Sequence, residues 1–189
     1  MQMSQKQALE VLSRHRSDQI VVTTMSAVGI WPEFSDTTAD FHYIPSTMGQ
    51  AASFGLGLAL AQTERGIIVI NGDGCILMNL GCLVTIAANP ADIYVIVMAN
   101  GIYEVTGGQA TAGGRRVDFA AIARGSGIEK AFSFDTIENW DSNAQAILAQ
   151  PGPVLVELNV EARHGQETPK PARPMAEQIK RLRSALSSS

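Results

Sequence analysis

Apolar residues in this chain come in short blocks separated by polar or glycine-rich stretches, and the spacing within each block predicts an element. In residues 5–16, Ala8, Leu9, Val11 and Leu12 fall on one side of a helix. Residues 19–24 (Gln-Ile-Val-Val-Thr-Thr) form a β-branched run that predicts a buried strand. Ile67-Ile68-Val69-Ile70 and residues 93–98 are apolar at successive positions, as in strands covered on both faces. A weaker strand is expected near 131–134 and a last one over 153–158. Helices are expected over 49–62, 77–88, 118–124 (behind Asp118 as N-cap) and 140–149. Residues 29–43 read as a Gly/Pro/Asp-rich loop and 107–116 as a glycine-rich one. The helix over 49–62 is built from small residues, and glycine costs a helix about 1 kcal/mol relative to alanine. Its composition therefore implies close packing against neighbouring backbone, and its apolar character suits burial against another chain.

Strands that alternate with helices, and that are apolar on both faces, indicate an α/β fold. The expected form is a three-layer, doubly wound sandwich around a mostly parallel sheet, with ligands beyond the carboxyl ends of its strands. Residues 1–163 are assigned to this domain. Residues 164–189 are assigned to a linker, extended by Pro169, Pro171 and Pro174, and a short helix from Met175 to about residue 185.

Composition narrows the function. Of 189 residues, 46% are hydrophobic and 17% charged, enough apolar material for a core. The formal net charge of −4 leaves no basic footprint for nucleic acid. The start lacks a signal peptide's apolar run, and no stretch approaches the roughly 20 apolar residues of a membrane span. Cys75 and Cys82 are the only cysteines, with no zinc cluster or disulfide framework, and a reducing cytoplasm is expected.

The chemistry concentrates at two strand ends. Asn71-Gly72-Asp73-Gly74-Cys75 lies between a strand and a helix. Its glycines permit close approach to the backbone, and N–H groups at the helix start favour an anion. An acid beside an anion site implies a cation joining them, and Mg²⁺ does this with few carboxylates plus substrate phosphates. The next strand ends at Asn100, so Asp73 and Asn100 emerge on one sheet edge. If their strands are neighbours, or one strand apart, both side chains can reach one ion. A tight turn plus a loop-capping Asn would explain the tripeptide alone, but not the pairing of the two strand ends.

Gly72-Asp73-Gly74 followed by Asn100 resembles the signature of thiamine-diphosphate-dependent enzymes, over about residues 18–160. The resemblance implies thiamine diphosphate and Mg²⁺ as cofactors, with Asp73, Asn100 and the Ile102 carbonyl as metal ligands. The family often carries two asparagines at the second site; here the first is Ala99, and the ligand position is Asn100. Residues 45–50 resemble the segment whose bulky apolar residue, here Met48, wedges under the cofactor. By the same resemblance the Ser46 carbonyl accepts from the aminopyrimidine, and Ser26 sits in a diphosphate-contacting turn. The resemblance also places Gly72, Gly74 and Cys75 in the diphosphate loop, Cys75 through its backbone N–H alone.

The run from Asn100 to Gln109 is most similar to the two-subunit sulfopyruvate decarboxylases (β subunit) and to phosphonopyruvate decarboxylases. This implies a small 2-oxo acid with a second anionic group as substrate. It also implies a hetero-oligomer in which a pyrimidine-binding α subunit brings the essential glutamate. A split carboligase of the acetolactate-synthase kind, or a non-catalytic phosphate-binding module, would carry the same motif. Tyr103, Glu104, Thr106 and Gln109 either line a substrate pocket or form a solvated loop, and His42, which precedes the wedge segment, either approaches substrate or has no special role. His15 and His164 have no assigned role.

Overall fold

The computed structural model describes residues 2–43, 47–62 and 64–187. Six strands form one parallel sheet in the order β2-β1-β3-β4-β6-β5. They are β1 (Ile20–Thr23), β2 (Asp40–His42), β3 (Ile67–Gly72), β4 (Ile93–Ala99), β5 (Lys130–Phe134) and β6 (Val154–Asn159). Because successive side chains of a strand point to opposite faces, the apolar runs feed two cores. Val21, Ile68, Ile70, Ile96 and Val156 pack under α1 (Gln5–His15), α2 (Ala27–Ile30) and α7 (Ile137–Leu148). Val22, Val69, Val95, Val97 and Leu155 pack on the opposite face. There they meet α3 (Ala51–Ala61), α5 (Gly81–Ala88), α6 (Phe119–Gly125) and α8 (Met175–Ser187). The three-layer doubly wound expectation therefore holds. Among the described residues no helix is long and apolar enough to cross a membrane.

Two stretches differ from expectation. Residues 29–43 were expected to be loop, yet they carry the end of α2, a 3-10 turn (Trp31–Glu33) and the edge strand β2. β2 is only three residues long and is fixed by tertiary partners rather than by a run of apolar residues. Asp40 accepts from Arg16 (2.7 Å), the Trp31 indole (3.0 Å), Ser35 (2.6 Å) and the Thr37 N–H (2.7 Å). Burial alone would raise the Asp40 pKa, but these bonds and the Arg16 charge outweigh it and hold it below the usual carboxylate value. The helix expected over 77–88 starts later, as α5, and a separate short helix, α4 (Asp73–Leu77), precedes it across a turn at 78–80. The turn is held by Asn79, whose amide donates to the Gly49 carbonyl at 3.2 Å. The C-terminal helix α8 packs on β2, and Leu182 enters the core.

One buried acid makes the fold sensitive to pH. Glu157 on β6 accepts from the Ala120 N–H at 3.3 Å, and burial raises its pKa. A carboxyl group whose folded pKa exceeds its unfolded one contributes stability below the unfolded value, and this is lost as pH rises through the folded value. Glu157→Gln is therefore expected to raise the melting temperature relative to the parent at neutral pH. The gain should shrink below about pH 4, near the ordinary carboxylate range. A gain independent of pH would contradict this.

Candidate functional site

β1 continues to β2 on one side of the sheet and β3 continues to β4 on the other, so a crevice opens between the carboxyl ends of β1 and β3. β3 and β4 are direct neighbours, with Gly72 opposite Met98, which brings Asp73 and Asn100 to the same edge. The cleft there is lined by the turn after β1 (Thr24 to Ala27) and by Asn71 to Cys75. Met98, Asn100 and residues 102–106 line it from β4 and its loop, with Met48, Met78 and, from α1, Gln5.

Asp73 is a buried acid of the cleft, only 3% exposed. One oxygen accepts from the Gly74 N–H and the other from the Gly101 N–H, both at 2.7 Å, so the side chain bridges the ends of β3 and β4. Burial raises its pKa although these two N–H bonds pull the other way. Among the described residues no Lys, Arg or His forms an ion pair with it. The Arg115 charge also favours the ionised form, but from beyond ion-pair distance. A buried carboxylate without a direct ion-pair partner is costly, and a bound cation removes that cost. Asn100 donates its amide N–H to Glu104 (2.9 Å) and accepts the Ile102 N–H on its oxygen (3.0 Å).

The two glycines of the loop differ in kind. A Cβ on Gly74 would lie 2.5 Å from the Tyr103 ring, so this glycine is required by packing within the chain. A Cβ on Gly72 would find only Met25, at 3.8 Å, so packing leaves that side of the loop open to a ligand.

Met48 is 56% exposed, which rules out a core role. It has a φ of +48°, and Met25 across the cleft has +52°. Left-handed backbone is uncommon for such side chains, and both non-glycine instances among the described residues line this cleft. The turn carrying Met48 is anchored by Cys75, whose sulfur accepts the Gly49 N–H and lies 3.2 Å from the Thr47 hydroxyl. The Cys75 side chain thus has a structural task beyond any backbone contact, and burial pushes its thiol pKa up. Ser46 lies outside the described residues.

Sequence reasoning left Glu104 undecided. It is buried and accepts from Gln5 (2.7 Å), Ser26 (2.9 Å), Asn100 (2.9 Å) and the Arg163 guanidinium (2.8 and 3.1 Å). Tyr103, Glu104 and Thr106 line the cleft, whereas Gln109 is exposed and does not. Asn71 was not singled out as a cleft residue, yet one end of its buried side-chain amide has no partner. His42 lies off the lining, buried, with Nδ1 2.9 Å from the Thr23 hydroxyl and its pKa lowered by burial. His15 pairs with Asp141 at 3.0 Å, and His164 is exposed.

Residues 21–158 match the family described as thiamine pyrophosphate enzyme, C-terminal TPP binding domain. The chain is 41% identical over 119 residues to the sulfopyruvate decarboxylase subunit beta of Methanothermobacter thermautotrophicus, covering 62% of this chain and 60% of that one. It is 37% identical over 119 residues to the phosphonopyruvate decarboxylase of Streptomyces viridochromogenes, covering 62% of this chain and 30% of that protein. The matched region thus spans less than two thirds of either relative. In structure it resembles the benzoylformate decarboxylase of Polynucleobacter necessarius (TM-score 0.72, 16% identity, 85% of this chain and 33% of that one), which shows a shared fold.

The contrast between the two glycines is testable. Gly74→Ala forces a methyl group into the Tyr103 ring and should cost about 1–3 kcal/mol, as overpacking does. Gly72→Ala should leave unfolding stability within about 0.5 kcal/mol. Chemical denaturation measures both, and equal losses would contradict the assignment of Gly72 to a ligand.

Proposed function

We infer that this chain, which belongs to the thiamine pyrophosphate enzyme family through its C-terminal-type TPP-binding domain, is the diphosphate-binding subunit of a thiamine-diphosphate-dependent 2-oxo acid decarboxylase. The observation that carries this reading is Asp73: a buried carboxyl group with no ion-pair partner among the described residues, bridging two strand ends beside Asn100 and an open glycine face. Thiamine diphosphate is the same compound as thiamine pyrophosphate, and Mg²⁺ is the cation proposed to join its diphosphate to the protein. Asp73 would give the charged ligand, Asn100 a neutral amide oxygen and Ile102 its carbonyl, to which nothing among the described residues donates. When bound, the cofactor supplies a carbon nucleophile for the 2-oxo group and an electron sink after loss of CO₂. This chain's own residues bind and orient. Met48 offers an exposed apolar surface on a strained turn for the cofactor to bend over, and Gly72 lets the diphosphate approach the backbone.

The chain also depends on a partner. The family's glutamate that engages the aminopyrimidine needs a free carboxyl group over the cofactor. Glu104 cannot supply one, because both its oxygens are occupied by donors and it is ion-paired to Arg163. Glu157 does not line the cleft, and Asp40 is paired with Arg16 before β1. We therefore assign that glutamate to a second, pyrimidine-binding subunit. Exposed Met48 and Met78 at the cleft, with Leu60 on α3 and Val84 on α5, provide apolar surface for it. The substrate class proposed is a 2-oxo acid with a second anionic group, following the names of the relatives.

Two outcomes are expected. The purified chain alone should release no CO₂ from sulfopyruvate, phosphonopyruvate or pyruvate, and should do so from one of the first two when its partner is added. Robust turnover by the homogeneous chain alone would overturn the partner assignment, and conversion of pyruvate to acetolactate would indicate a carboligase. In the assembled enzyme, Met48→Ala should lower kcat by about tenfold, on the order of 1.4 kcal/mol, with little change in cofactor affinity. A fall in melting temperature with normal kcat would contradict its role under the cofactor.

A further inference from the structure

Glu104 collects hydrogen bonds from four separate parts of the chain. Gln5 comes from α1, Ser26 from the turn after β1, Asn100 from the end of β4, and Arg163 from beyond β6. Each oxygen of the carboxylate is occupied: Oε1 by Ser26 and the Arg163 guanidinium, Oε2 by Gln5, Asn100 and, at 3.4 Å, the Arg163 N–H. What matters is which atoms this leaves for the cleft. A serine hydroxyl has one hydrogen and two lone pairs. The Ser26 hydrogen is directed to Glu104, so Ser26 can offer the cleft only acceptor lone pairs and cannot donate to a phosphate oxygen. An asparagine amide has a donor end and an acceptor end. Glu104 takes the donor end of Asn100, which fixes the amide oxygen on the opposite side, where Ile102 also lies.

Building on the proposed function, we propose that Glu104 is a positioning residue for the metal. It takes the hydroxyl hydrogen of Ser26 and one of the two amide hydrogens of Asn100, which turns the Asn100 oxygen away from itself and leaves acceptor oxygens beside Asp73 suited to a divalent cation. The diphosphate is then held mainly through that cation and the backbone, and Ser26 acts on the cation side of the site or on its water. Arg163 anchors the carboxylate from outside the cleft, being absent from its lining. Gln at position 104 would break this arrangement without changing its size. Its amide is itself a donor, so it can turn Asn100 around and present an N–H where the cation needs an oxygen.

The test uses the full 189-residue chain. Mn²⁺ binding is followed by electron paramagnetic resonance in the presence of thiamine diphosphate, with Mg²⁺ as competitor, alongside the melting temperature. Glu104→Gln is expected to weaken the metal by tenfold or more. Glu104→Asp, which keeps an acceptor-only carboxylate, should stay within about threefold of the parent. Metal affinity in Glu104→Gln equal to the parent would overturn the proposal, as would equal losses in the Gln and Asp variants, which would indicate packing alone. If Glu104→Gln yields no folded protein, Ser26→Ala decides: weaker metal at an unchanged melting temperature supports the proposal, and unchanged metal affinity overturns it. A parent chain that binds no metal with thiamine diphosphate would overturn the functional reading itself, a result distinct from normal parent binding with an indifferent variant.

Discussion

Asp73 sets a carboxyl group where water is almost excluded, and its two partners are backbone N–H groups from different strand ends. The rest of the cleft follows from that placement. Its bond to Gly101 fixes the spacing of β3 and β4 at their carboxyl ends, which in turn sets Asn100 and the loop carrying Glu104. The aromatic ring of Tyr103 then closes over Gly74, leaving room for no side chain at that position. The two N–H bonds and the more distant Arg115 charge only partly offset burial, which leaves the ionised carboxyl group with a net electrostatic deficit. Under the proposed function, a bound divalent cation meets that deficit.

Around this deficit the protein stores order elsewhere. The turn carrying Met48 stays left-handed because the Cys75 sulfur and the Asn79 amide hold Gly49 from two sides. Glu104 gathers donors 99, 78 and 59 residues away in sequence, so one carboxylate ties α1, the β1 turn and the segment after β6 to the same edge. These contacts make a rigid half-site. A cofactor lying on it would be covered on one side only, and enclosure of such ligands is the rule. The exposed methionines at the cleft fit that incompleteness.

How much of this was legible in the sequence depended on how local each feature is. β3 and β4 could be read because four or more consecutive apolar residues leave few alternatives, and Asp73 and Asn100 because they directly follow those strands. β2 could not: Asp40 and His42 look like loop residues until Arg16, Trp31 and Gln178 are brought to them by the fold. The helix break at 78–80 was hidden because the apolar pattern runs through it, while Asn79 makes its deciding contact with Gly49 thirty residues earlier. Ser26 lines the cleft because it follows β1, but the direction of its hydroxyl depends on a glutamate in another loop. Residues whose role is set by a neighbouring strand end were readable, and those set by long-range hydrogen bonds were not.

The central claim is that this edge binds a diphosphate through a divalent cation. Isothermal titration of the chain with thiamine diphosphate, with and without Mg²⁺, and with thiamine in its place, addresses it directly. The account predicts heat of binding only when both the diphosphate and Mg²⁺ are present. Equal binding of thiamine, or binding of thiamine diphosphate that does not change when Mg²⁺ is removed, would contradict it.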